Sequence, residues 1–390
     1  MKKPLPLIQW QENDLPVQAL WYSEGQLPPP TTVRLVDDTI SANQAMALAK
    51  EGTGMLWRGD YQNARELLQA MMRRVARKPR EGMQPKKQSP AEIFHAHRLE
   101  QKRKAEILGA LLVPLSADFV IQLKRGQDVR SACQEVLGDI QQDIVMPLKG
   151  LLAIVSAHEW RKKKIPVIHM AKKITPHFGV FSPLRAEYLD LVMQAQLPPN
   201  IELAFDIGVG SGVLSILLAQ RGIAKIRATD IDPRAIECAR ENIHDFGFSE
   251  TIEVIQANLF PQGVADLIIC NPPWIPAIPS APIEYAVFDP DSQFLKAFIT
   301  QVAQHMKADG QVWLILSDIA EQLGLRTRTD LLQLFEVANL HVLSKKDMRP
   351  KHPKIRDTSD PLFFARDKEI TSLWILGKKT QVDSFALVTS

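Results

Sequence analysis

The 390 residues carry a formal net charge of +3 and are 45% hydrophobic, which is ordinary for a soluble globular chain and long enough for two or three domains. No apolar run approaches the roughly 18 residues of a membrane span, and "MKKPLPLIQW" lacks the apolar core and cleavage site of a secretion signal. Cys133, Cys238 and Cys270 stand apart without metal-ligand spacing, which excludes a disulfide framework, offers no metal site and suits the reducing cytoplasm.

In chain order, "GQLPPPTTV" (25–33) is expected to be extended and exposed, because proline fixes φ and lacks an amide donor. Apolar residues recur at helical spacing over residues 41–50 and 60–78, with Asp60 as the N-cap of the second helix. Residues 71–130 hold fourteen Lys/Arg against six Asp/Glu, densest in "MMRRVARKPR" and "RLEQKRKAE". Residues 1–165 therefore read as a mainly helical, basic N-terminal domain for substrate recognition. "HEWRKKKIP" (158–166) falls near its end. His95 and His97 read as solvated members of a basic helix.

After Pro198-Pro199 the pattern changes. "ELAFDIG", "AKIRATD", "TIEVIQA", "VADLIICN" and "GQVWLILSD" are strand-like, and helical segments such as "SGVLSILLAQRG" and "DPRAIECARENIHDFG" alternate with them. That alternation implies a parallel sheet covered on both faces. "NLHVLS" and "ITSLWILGKK" supply two last strands, making seven. Between them, "KKDMRPKHPKIRDTSD" reads as part of a basic loop over residues 345–368.

Three short motifs lie at strand ends. "FDIGVGSG" follows the first strand, and its Gly208, Gly210 and Gly212 allow a tight turn and close approach of a ligand. The spacing departs from G-x-G-x-x-G at Val213, which weakens a dinucleotide reading. Asp230 ends the second strand, where a carboxylate can accept from both ribose hydroxyls. Asp232, before Pro233, is the better helix cap. The fourth strand stops at Asn271 in "IICNPPWIP". Each motif alone has a plainer alternative: a tight turn, a helix cap, or a proline turn with a core tryptophan.

Taken together, "DIGVGSG", Asp230 and "NPPW" resemble class I S-adenosylmethionine-dependent methyltransferases. Within that class they are similar to enzymes with an Asn/Asp-Pro-Pro-Tyr/Phe/Trp motif, the HemK-like glutamine methyltransferases and the amino-methylating nucleic-acid enzymes. The resemblance covers residues 175–376 and none of residues 1–165. It implies a seven-stranded, doubly wound, Rossmann-like α/β sheet over residues 166–390, with S-adenosyl-L-methionine as cofactor. It implies cofactor contacts from Asp206, Gly208, Gly210, Gly212, Asp230 and Ile231, and from Asn258, Leu259 and Asn271. Related enzymes often hold an acid where this chain has Asn258. Catalysis falls to Asn271, Pro272 and Trp274. Substrate contacts fall to Pro273, Trp274 and to Phe181 of "HFGVFSPLRAEY" (177–188).

The chemistry suits such residues. A planar amide or amine nitrogen is a poor nucleophile because its lone pair is delocalised. Acceptors aimed at its N–H protons, the Asn271 amide oxygen and the Pro272 carbonyl, would hold it and favour pyramidalisation. The prolines stiffen the turn, and Trp274 can stack on a flat acceptor. The acceptor stays open between a glutamine amide in a translation protein, slightly favoured by the likeness of "NPPWIP" to "NPPYIP", and an adenine or guanine amine in RNA or DNA. A third reading is an RNA-binding protein without catalysis. The basic N-terminal helices and residues 345–356 would contact nucleic acid, and no membrane is involved.

Overall fold

The structure, a computed structural model, describes residues 4–379 except 26, 77–87, 184–186, 280–281 and 352. It contains two units, Met1–Lys87 with His95–Trp160, and Gln88–Phe94 with Arg161–Ser390.

The first unit contains, in order, β1 (Leu7–Glu12), β2 (Leu15–Trp21), β3 (Thr32–Val36), α1 (Ala42–Lys50), β4 (Thr53–Trp57), α2 (Tyr61–Val75), most of α3 (Pro90–Gly109), β5 (Leu111–Leu115), α4 (Arg130–Leu137), β6 (Ile144–Pro147) and most of α5 (Leu148–Lys163). Its six strands form one mixed sheet in the order β1-β2-β6-β5-β4-β3. This corrects the expectation of a mainly helical domain. The helices are present, with Ser41 and Asp60 as caps of α1 and α2, but the unit also holds a six-stranded sheet. The strands escape a sequence reading because their sheet is closed by pairings distant along the chain, such as β2 (Leu15–Trp21) with β6 (Ile144–Pro147). Asn13 and Asp14, both at positive φ, turn β1 into β2, and Ile8 and Trp10 alternate inward. In the proline stretch Leu27, Pro28, Thr31 and Thr32 are exposed as expected, while Gly25, Pro29, Pro30 and Val33 are half-buried. Pro30 lies where a Cβ on Gly54 would come within 2.6 Å of its Cγ, and Thr32 and Val33 already belong to β3. The extension of α2 to Lys78 lies outside the described residues.

The second unit holds α6 (Glu187–Gln194), β7 (Ala204–Ile207), α7 (Val213–Gln220), β8 (Ile226–Asp230), α8 (Pro233–Phe246), β9 (Ile252–Gln256), β10 (Ala265–Cys270), α9 (Gln293–Val302), β11 (Met306–Ser317), α10 (Ile319–Gln322), α11 (Arg328–Val337), β12 (Leu340–Met348), α12 (Phe363–Arg366) and β13 (Thr371–Lys378). Its seven strands run β12-β13-β11-β10-β7-β8-β9, parallel from β11 to β9, with β13 antiparallel to both its neighbours. From Leu267 to Cys270, β10 is apolar because both its faces are buried: Leu267 and Ile269 join one core cluster, Ile268 and Cys270 the other. The order reverses beside β7, with β8 on one side and β10 on the other, so a crevice opens at their carboxyl ends.

The units do not divide at residue 165. Arg161 and Lys164 are tied to Glu241 and Asp245 of α8, at 2.6 Å each. Phe94, at the start of α3, is buried with Ile319, Leu323, Leu362 and Ala365. The basic loop is also shorter than expected. Residues 345–348 belong to β12 and pair with β13, Lys345 bonds Asp347, and the Lys346 ammonium donates to the Gln194 carbonyl.

Candidate cofactor and acceptor site

Strand register brings the three motifs together. Ile207 pairs with Thr229 on one side and Cys270 on the other. The next residues, Gly208, Asp230 and Asn271, therefore stand in one rank across the ends of β8, β7 and β10. Neighbouring strands lie about 4.8 Å apart, so Asp230 and Asn271 are separated by roughly 10 Å with the glycine turn between them.

Gly208, Gly210 and Gly212 have φ of +80°, +52° and +82°, which side chains other than glycine rarely adopt. A Cβ on Gly208 would meet nothing closer than Phe294 at 3.8 Å, and one on Gly210 nothing closer than 4.0 Å. The space beside these two residues is open to a ligand. Gly212 differs: its Cβ would lie 3.3 Å from the Ala239 Cα, so it serves the packing of α7 on α8. The Gly208 and Val209 amides donate to the Thr229 carbonyl, and the Gly210 amide donates to Asp230 Oδ2 at 3.1 Å.

Asp206 lies beneath this turn and is fully buried. Its Oδ2 accepts from the Ser215 hydroxyl at 2.6 Å, while Oδ1 has no hydrogen-bond partner. Burial, with a smaller push from Asp230, raises its carboxyl to about 7. Burial also raises Asp230, although Oδ1 accepts from the Asp232 amide at 3.0 Å. Two carboxylates raised by burial and proximity make a site short of positive charge.

Beyond Asp230, Ile231 is 65% exposed, an apolar surface beside the carboxylate. Asn258 is exposed in the turn after β9. Leu259 is buried at φ +65°, with its carbonyl accepting from the buried Thr229 hydroxyl. A leucine in that region stores strain that the Thr229 bond helps to hold. Asp232 caps α8 by accepting from the Arg234 amide at 2.9 Å, as its place before Pro233 suggested.

At the end of β10, Asn271 is half-buried and Pro272 buried. The Trp274 indole donates to Asn271 Oδ1 at 3.0 Å. Trp274 is half-buried and packs against the core clusters of both sheet faces and against the Phe94 cluster. The chain then doubles back, with the Ile275 and Asp289 backbones each bonded to a neighbour across the loop. Asp289, which sequence reasoning missed, accepts from the Phe294 and Leu295 amides at 2.9 and 3.0 Å and so anchors the start of α9. Cys270 is a buried strand residue whose thiol burial pushes well up.

The segment before the first motif docks on α8. Asn242, fully buried, was also missed. Its Oδ1 accepts from the Thr175 amide at 2.7 Å, and its Nδ2 donates to the carbonyls of Thr175 and of Ser211 in the glycine turn, at 3.1 and 3.0 Å. An asparagine four residues after Cys238 on the apolar face of a helix was its only sequence signal. His177 bonds Glu241 at 2.7 Å, and Val180 packs on Ala235 and Cys238. Phe181 follows, half-buried.

The second unit is a doubly wound α/β sheet whose candidate site lies at the switch point of the strand order. The family model described as methyltransferase small domain matches residues 171–346. A protein of Methanocaldococcus jannaschii, provisionally named an N5-glutamine methyltransferase, is 30% identical over 155 residues, 38% of this chain and 77% of that one. The tRNA1(Val) (adenine(37)-N6)-methyltransferase of Bacteroides thetaiotaomicron is 30% identical over 161 residues, 39% of this chain and 67% of that one. The ribosomal protein uL3 glutamine methyltransferase of Bordetella pertussis is 36% identical over 96 residues, 23% of this chain and only 32% of that enzyme's length. The chain belongs to the methyltransferase small domain family, the HemK-like class I enzymes that use S-adenosylmethionine. The residues present fit that cofactor. Open space lies beside Gly208 and Gly210, Asp206 keeps an unpartnered buried oxygen, and the raised carboxylates suit a ligand bearing positive charge.

Proposed function

We propose that this chain methylates a planar amide nitrogen of the glutamine type in a protein of the translation machinery, in the cytoplasm. The observation that carries the reading is the shared rank of Gly208, Asp230 and Asn271. Bound there, S-adenosylmethionine would supply an activated methyl group. Gly208 and Gly210 leave room for its amino-acid end. Asp230 has lone pairs left for ribose hydroxyls after its two backbone bonds, and Ile231 offers an apolar cover for the base. Asn258 and Leu259 border the same side. The second lone pair of Asn271 Oδ1 and the Pro272 carbonyl accept the N–H protons of the acceptor, while Pro273 and an edge of Trp274 bound its pocket, with Phe181 as a further cover. Catalysis is then alignment plus fixed acceptors.

Residues 271–286 contain one charged side chain, Glu284, and no Lys or Arg. Such a rim suits a peptide better than a phosphate backbone. The second reading, an adenine or guanine amine in RNA or DNA, draws on the basic residues of the first unit and on the tRNA enzymes among the relatives. Exposed Arg73, Lys102 and Arg103 would then contact phosphates. A binding protein without catalysis would not need Asn271. The test is transfer of tritiated methyl from S-adenosylmethionine into an extract of cells lacking this protein, followed by nuclease or protease. Label released by protease supports the proposal. Label released by nuclease favours the second reading, and no label favours the third.

A further inference from the structure

We infer that Trp274 is the positioning residue for Asn271, and that its indole N–H, more than its ring face, is what the acceptor site uses. The inference rests on the methyl-transfer reading above. The observation is the 3.0 Å bond from Trp274 Nε1 to Asn271 Oδ1, spanning three residues across Pro272 and Pro273. Both ends are held. Asn271 leaves the central strand β10, and the Trp274 ring is packed against three apolar clusters, one of them containing Phe94, Ile319 and Leu362. The prolines fix φ between them.

The chemistry follows from what each group can do. A carboxamide has an accepting end and a donating end of nearly the same shape. The indole N–H is a donor only. If the Asn271 amide turned over, its NH2 would face the indole N–H, donor against donor. The bond therefore selects one orientation and points Oδ1 to the Trp274 side. A carbonyl oxygen has two lone pairs, so one remains for an N–H of the acceptor. Without the indole, both orientations become available, and the flipped one presents a donor to an acceptor nitrogen that needs an accepting group. The Tyr and Phe of the related motifs have no N–H at this place, so a change to either, conservative by shape, removes the device in this chain.

A carboxylate gives the decisive comparison. Both of its oxygens accept, so it has no wrong orientation to exclude. Trp274→Phe should lower the turnover of tritiated methyl transfer into the deficient extract about tenfold or more. Its calorimetric affinity for S-adenosylmethionine should stay near wild type, which also reports that the variant folds. In the Asn271→Asp background the same change should cost less than about threefold, because the orientation no longer matters. A merely structural tryptophan would cost the same in both backgrounds, and that result overturns the inference. A second measurement needs no change at position 274. In protein with ¹⁵N-labelled tryptophan, the Trp274 indole N–H resonance should shift in Asn271→Ala, and the proton should exchange faster. A resonance that stays in place overturns the inference whatever the activities do. Wild-type protein that labels nothing overturns the methyl-transfer reading and this one with it. Wild-type labelling with an undiminished Trp274→Phe overturns this one alone.

Discussion

The two halves of the strand-end site are made of different materials. On the β7–β8 side the parts are backbone amides and carboxylates: the Gly210 and Asp232 amides on Asp230, and buried Asp206 beneath the turn. On the β10 side they are a side-chain amide, two prolines and an indole. The first half spreads its work over many modest contacts and leaves open space between them. Under the proposed function, the second aims one or two acceptor atoms at the substrate nitrogen and holds them still. Binding and turnover should therefore fail separately.

The largest separation is expected at Asn271. Asn271→Ala should reduce turnover about a hundredfold or more, as for loss of a fixed transition-state hydrogen bond. Cofactor affinity should remain within about 0.5 kcal/mol by calorimetry. Equal losses in both would erase the division between the halves. Asn242→Ala should cost about 2–3 kcal/mol of stability in chemical denaturation, since it strands buried groups at Thr175 and Ser211. A smaller effect concerns pH. Asp206 binds its proton more tightly folded than unfolded, with the folded carboxyl at about 7. The stability it contributes is complete below the ordinary carboxylate range and is lost as pH rises through about 7. Thermal unfolding of the ligand-free protein should fall from pH 5 to pH 8, and Asp206→Asn should make that fall shallower. An unchanged slope would mean that the buried carboxyl titrates as an ordinary one. The smallest effect tests the nucleic-acid reading. Neutralising Arg73, Arg74, Lys102, Arg103 and Lys104 should flatten the salt dependence of any binding to ribosomal RNA. No change in slope would leave the first unit without a phosphate-contacting role.

The sheet of the second unit was legible because its central strands β7, β10 and β13 are buried on both faces and read as apolar runs. The placement of the candidate site was legible where the constraint is local: a left-handed φ asks for glycine at positions 208, 210 and 212, and Asp230 and Asn271 stand where β8 and β10 end. The first unit was not, because β6 reaches its place between β2 and β5 only by pairing distant in sequence. Asn242 was missed for the same reason, since its partner Thr175 lies 67 positions away. The bond from Trp274 to Asn271 is local and had a signal, because a packed indole must satisfy its single N–H. Stacking on a flat acceptor accounts for the Trp274 ring and leaves its proton, which the bond to Asn271 accounts for.

The central claim is that the strand ends around Gly208 and Asp230 hold S-adenosylmethionine, and titration calorimetry tests it most directly. The account predicts one cofactor per chain for the wild type, with Asp230→Ala weaker by about 1.5–3 kcal/mol, the scale of hydrogen bonds to a charged group. No heat of binding in folded wild-type protein, or equal affinity in the variant, would contradict it.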